Sequence, residues 1–252
     1  MNRYFLEVSY LGTNYGGFQV QKNATTIQSE VEKALEILFH TTLSLTGSSR
    51  TDAGVHALQN YFHFDIDRII QTDMMYNMNA LLPKDIAVID LKAVKRDSHC
   101  RFDAIARKYD YHIYRYKNPF LVDRAYYYPY TLDMSKLEEA ADILFRYRDY
   151  EAFSKRRTQV QTYECSITES EWSVHEGRVI YHVKGNRFLR GMVRGLVGTM
   201  LRVARGKISL QQFKRIIEDK NPAFVDFSVP AKGLFLKEVI YPDNYFVTNK
   251  NA

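Results

Sequence analysis

The sequence predicts an α+β fold made of two related halves, and three observations carry that prediction. Strand-like alternation and helix-like apolar stripes succeed one another in a β-α-β-α-β order between residues 3 and 94. A comparable mixture of helical and strand patterns fills the remainder. The 252 residues are enough for one large domain or two of about 120 residues each.

The elements follow in order. Residues 3–10 alternate as a strand. Thr25 with Gln28 three positions on reads as a capping box opening a helix, whose buried stripe is Ile27, Val31, Ala34, Leu35 and Leu38. A strand is expected over 61–66, a helix over 72–82 and a strand over 86–94. Residues 109–116 alternate polar and bulky side chains and bridge into the second half. There Ser135 with Glu138 opens a helix near Leu144, and strands are expected over 165–174 and 178–184. A long helix starts at Phe188, with Leu189, Met192, Val193, Leu196, Val197, Met200 and Val203 at helical spacing and Gly206 ending it. Ser209 with Gln212 caps a short helix before a last strand over 233–240. The halves expected are 1–105 and 106–252.

Composition narrows the class. Hydrophobic residues at 46% and charged residues at 25% are those of a globular protein. A net charge of +6 favours a polyanionic partner, and Arg and Lys interleave with aromatics over 101–116, 146–157 and 187–205, a mixture suited to phosphates and unstacked bases. Cys100 and Cys165 are the only cysteines and are far apart in sequence, so neither a disulfide framework nor a cysteine zinc site is expected, and the compartment expected is reducing and cytoplasmic. Glu7 interrupts the first apolar residues, which form no signal-peptide core. Apolar runs fall short of the ~20 residues of a membrane span. The seven histidines show no metal-ligand spacing, and neither a G-x-x-x-x-G-K loop nor a dinucleotide fingerprint is present. No cofactor or metal is expected.

The segment Gly47-Ser48-Ser49-Arg50-Thr51-Asp52-Ala53-Gly54-Val55-His56-Ala57 sets one carboxylate between an arginine and a glycine in a stretch too small and polar for core. Asp52 is the catalytic candidate; a simple Asp-Gly turn would read the same way from spacing alone. As a whole, the string resembles the R-T-D-x-G-V-H-A signature of the tRNA pseudouridine synthase A family. Similar segments recur in order: Tyr10-Leu11-Gly12-Thr13-Asn14-Tyr15-Gly16-Gly17-Phe18-Gln19, Arg101-Phe102-Asp103-Ala104 with Arg107-Lys108-Tyr109-Asp110-Tyr111, Gly185-Asn186-Arg187-Phe188-Leu189 with Met192-Val193-Arg194, and Gly233-Leu234-Phe235-Leu236. Phe18, Ser49 and Arg148 depart from the usual Trp, Gly and His.

The resemblance implies that two ferredoxin-like halves share an extended antiparallel sheet around a basic central cleft. It also implies a cofactor-free isomerase that converts uridine to pseudouridine at positions 38–40 of the tRNA anticodon stem-loop, acting as a homodimer on tRNA. By the same resemblance Asp52 is the catalytic aspartate, Arg194 its partner and Tyr109 the ring that receives the flipped base, with Arg50 entering the RNA. Read without it, Arg194 is a solvated helix arginine sharing a face with Arg187 and Arg190, and Tyr109 is packing. Arg101, Phe102, Lys108, Arg187 and Arg190 are RNA-contact candidates. His56, four residues after the acid, reads as structural, because the isomerisation needs no neutral-pH base of that kind. A noncatalytic RNA-binding protein and an N-glycosidase are the competing readings.

Overall fold

The computed structural model describes residues 1–71, 73–155 and 161–246. In chain order its elements are β1 (Asn2–Tyr10), α1 (Ile27–Phe39), β2 (Thr46–Gly47), β3 (His56–Ile66), α2 (Met74–Leu81), β4 (Ile86–Val94), β5 (Ala106–Tyr114), β6 (Tyr126–Tyr127), α3 (Met134–Ile143), β7 (Ile167–His175), β8 (Arg178–Gly185), α4 (Met192–Ala204), α5 (Leu210–Glu218) and β9 (Leu234–Ile240). The class is α+β with mostly antiparallel strands, as the sequence predicts. Two compact units result, Met1–Ile105 together with the chain from Leu236 on, and Ala106–Phe235. The chain from Leu236 was expected in the second half. It returns to the first because long-range backbone bonds hold it there, among them Ile105 N–H to the Ile240 carbonyl at 2.8 Å. Among the described residues no helix is long and apolar enough to cross a membrane.

In the first unit β1 lies between β4 and β3, antiparallel to both, with Leu6 opposite Phe62 on one side and Leu91 on the other. Phe5, Leu6, Val8, Phe62 and Phe64 are buried, which explains why aromatic and branched residues fill these strands. α1 begins one residue later than expected. Thr26 is its cap, accepting from Ser29 N at 3.2 Å while Ser29 Oγ accepts from Thr26 N at 3.0 Å. Gln28 does not close a box with Thr25, because its Oε1 accepts from Val20 N (3.2 Å) while its amide donates to Glu32 (2.8 Å) and to the Leu45 carbonyl (2.9 Å). Phe39 completes the buried stripe and Leu38 is only partly covered. The expected start of the second helix, Thr72, lies outside the described residues.

In the second unit β8 lies between β5 and β7, with Tyr181 opposite Tyr111 on one side and Trp172 on the other. β6 pairs with β5 in parallel, an element the sequence did not announce. Asp133 caps α3 by accepting from Lys136 N at 3.2 Å, in place of the expected Ser135 and Glu138. α5 is capped by Ser209 and Gln212 as expected. α4 starts at Met192, not Phe188, because Gly191 adopts φ +75 and bends the chain into the helix from a left-handed residue. Arg187 and Arg190 therefore precede the helix and do not share a face of it with Arg194. Of the basic cluster over 146–157, Arg156 and Arg157 lie outside the described residues.

Candidate active site

Asp52 sits half-buried in the loop between β2 and β3. Gly54 turns the chain beneath it at φ +78, and the Val55 N–H closes the turn on the Asp52 carbonyl at 3.1 Å. The neighbours of the acid are bolted from three sides. Thr51 Oγ1 is 2.8 Å from the Tyr10 hydroxyl, and the Thr51 carbonyl accepts the Phe18 N–H at 3.1 Å. Asn60, wholly buried on β3, donates to the Ser49 carbonyl (2.8 Å) and the Tyr10 hydroxyl (3.2 Å) and accepts from Ser49 N (3.3 Å).

These contacts give the 10–18 segment its physical reason. A Cβ on Gly12 would stand 2.0 Å from the Val55 carbonyl oxygen, and one on Gly47 would stand 2.2 Å from the Phe18 ring. Phe18 itself stacks on Phe62 at 4.5 Å and 9°. Buried His56 accepts the Gly12 N–H at 3.0 Å through Nδ1, a joint between two backbone segments, in keeping with its structural reading. Tyr10, Asn60 and Thr51 were not singled out individually from sequence, and Phe18 only as a departure from the usual Trp. An asparagine directly before the apolar Tyr61-Phe62 pair was the available signal for Asn60, since a buried amide must find partners.

The same loop presents Arg50, exposed, to a cavity of about 190 Å³. Arg101 and Phe102 line it as well, with Gln19, Gln28 and His99. Phe102 is 73% exposed, its ring 4.2 Å from the His99 ring and 5.6 Å from the Arg101 guanidinium. Two cations and an open aromatic face around one cavity suit a phosphate and an unstacked base.

The second unit carries the other candidates. Tyr109, on β5, packs edge to face on Phe188 at 5.3 Å and 85°. Lys108, its neighbour, is ion-paired with Glu169; burial works against its charge, but the carboxylate raises its pKa. Arg194 lies in the first turn of α4, half-buried, and donates from Nε to the Val229 carbonyl (2.8 Å) and from Nη2 to the Phe227 carbonyl (3.5 Å). It is not a solvated surface arginine. Gly195 and Gly198 make room for this crossing, since a Cβ on Gly198 would meet the Asp226 carbonyl oxygen at 2.2 Å. Arg187 donates its backbone N–H to Asn186 Oδ1 (2.8 Å), and the Arg190 carbonyl accepts from Lys155 N (3.0 Å).

An antiparallel α+β unit with a carboxylate in a glycine turn, and with Arg50 of the same loop lining a cavity of cations and an open ring, suits a protein that acts on nucleic acid. The family model described as tRNA pseudouridine synthase matches residues 7–103 and 141–242. The chain is 40% identical over 247 residues to tRNA pseudouridine synthase A of Azobacteroides pseudotrichonymphae, covering 98% of this chain and 99% of that one. It is 41% identical over 249 residues to the protein of the same name in Parabacteroides distasonis (98% of each), and 35% identical over 245 residues to that of Staphylococcus aureus strain JH1 (96% and 92%). The chain belongs to the tRNA pseudouridine synthase family.

Proposed function

We propose that this protein isomerises uridine to pseudouridine in tRNA, at positions 38–40 of the anticodon stem-loop, as a cytoplasmic homodimer without cofactor. Membership of the family, with relatives named tRNA pseudouridine synthase A along nearly the whole chain, supports the reaction. The carrying observation is the Asp52 loop, whose backbone is tied down by Asn60, Thr51, the Phe18 amide and the Gly54 turn. Position and dimer rest on the family resemblance, and the compartment on the cysteine pattern.

The reaction breaks C1′–N1, turns the base and joins C1′ to C5; the C5 proton leaves and N1 takes one up, so atoms balance without redox chemistry. Asp52 acts on the sugar or base as nucleophile or general base. By the family resemblance Arg194 is the partner of its charge and Tyr109 the ring that receives the extruded base. Arg50, Arg101 and Phe102 receive the neighbouring nucleotides, and Arg187, Arg190 and Lys108 the phosphates. The test is unmodified tRNA tritiated at uracil C5. Tritium released to water with no free uracil is the expected result. Free uracil would make the protein a glycosidase, and binding without release a noncatalytic RNA-binding protein.

A further inference from the structure

His63, His99 and Cys100, in the first unit, bring one ligand atom each to within 4.8 Å of one another, a cluster that uridine isomerisation does not use. We infer that it is a binding site for a zinc-class divalent metal, held by two imidazole nitrogens and a thiolate, with a fourth tetrahedral position left to water. Mixed nitrogen and sulfur donors select this borderline-soft class over magnesium or calcium.

The geometry is close to what such an ion needs. His63, nearly wholly buried on β3, has Nδ1 3.1 Å from Cys100 Sγ. Zinc bonds of about 2.0 Å to nitrogen and 2.3 Å to sulfur set such atoms about 3.5 Å apart, so the pair opens by only a few tenths of an ångström. The thiol also points at the Thr46 carbonyl, 3.1 Å away; on binding it releases its proton to solvent and gives up that bond. His99 meets His63 edge to face at 4.6 Å and is only partly covered, so its ring can close the remaining distance. His99 and Thr46 line the 190 Å³ cavity, while His63 and Thr46 line a second of about 560 Å³, which gives the ion a path in. Charges around the cluster are mixed: Arg3, ion-paired with Asp65 at 2.7 Å, and Arg101 face Asp97 and Asp103.

Loading has a consequence for the neighbouring turn. His99 Nδ1 accepts the Arg101 N–H (3.1 Å) and the Phe102 N–H (3.4 Å). A neutral imidazole with its acceptor there carries its proton on Nε2, so neither nitrogen coordinates until those amide bonds are released. Two long amide bonds are the weaker interaction. The metal thus frees the turn that presents Arg101 and Phe102 to the cavity.

The test is a Co²⁺ titration of the metal-free, full-length protein. A thiolate-to-cobalt charge-transfer band with tetrahedral visible absorption, saturating at one equivalent and displaced by Zn²⁺, is expected, together with faster hydrogen exchange at the Arg101 and Phe102 amides. Cys100→Ala removes the band. His99→Asn, at a partly exposed position that does not threaten folding, weakens binding at least roughly tenfold. No band in the wild-type protein at excess Co²⁺, a band that survives Cys100→Ala, or binding unaltered by His99→Asn overturns the site.

Discussion

The Asp52 loop and the Arg194 helix turn are fastened by different kinds of contact. Around Asp52 the backbone is held by Asn60, Tyr10, Thr51, the Phe18 amide and His56. Around Arg194 the functional candidate is itself a fastener, its guanidinium tying α4 to the carbonyls of Phe227 and Val229. Function and folding are therefore entangled at Arg194, and substitutions at the two positions should read out differently.

The largest effect is expected from Asp52→Asn, a loss of at least roughly 10³-fold in turnover with thermal stability nearly unmoved. A comparable fall in melting temperature would show that the carboxylate fastens its own loop. Next comes Gly12→Ala, which drives a methyl into the Val55 carbonyl and should destabilise by about 3 kcal/mol; chemical denaturation measures it, and a change below ~1 kcal/mol would mean the loop yields. Asn60→Leu strands the Ser49 backbone groups and should cost about 2 kcal/mol, with turnover falling as the loop loosens.

Arg194→Lys is the sharpest point of comparison. A lysine cannot reproduce the two-carbonyl grip, so stability should fall by about 1–2 kcal/mol and turnover with it. Loss of turnover alone would place Arg194 in the same class as Asp52. The smallest effect is Thr26→Ala, about 1 kcal/mol from loss of the α1 cap, with turnover per folded molecule unchanged.

The sequence disclosed what depends on neighbours and concealed what depends on distant contacts. The strand Ile86–Val94 has the bounds its alternation predicts, and the Ser209–Gln212 box caps α5 as read, because both are encoded within a few residues. The α1 cap was missed by one position because the Gln28 side chain is claimed elsewhere, its oxygen by Val20 N–H and its amide by Leu45, seventeen residues on. The start of α4 was missed because Gly191 takes a left-handed conformation inside an unbroken apolar pattern. At the candidate site, Asp52 was legible as part of one contiguous string. The partners of Arg194 lie 33 and 35 residues away, and no spacing points to them. Nor did the sequence link His63 to Cys100, 37 residues apart, since neither shows the close spacing of a metal motif.

The central claim is that the protein rearranges uridine and does not merely bind or cleave it. Unmodified tRNA should be incubated with the protein, digested to nucleosides and its uridine and pseudouridine quantified. Pseudouridine should appear mole for mole with the uridine lost; uridine lost without pseudouridine, or no loss from tRNA that is demonstrably bound, would contradict isomerisation.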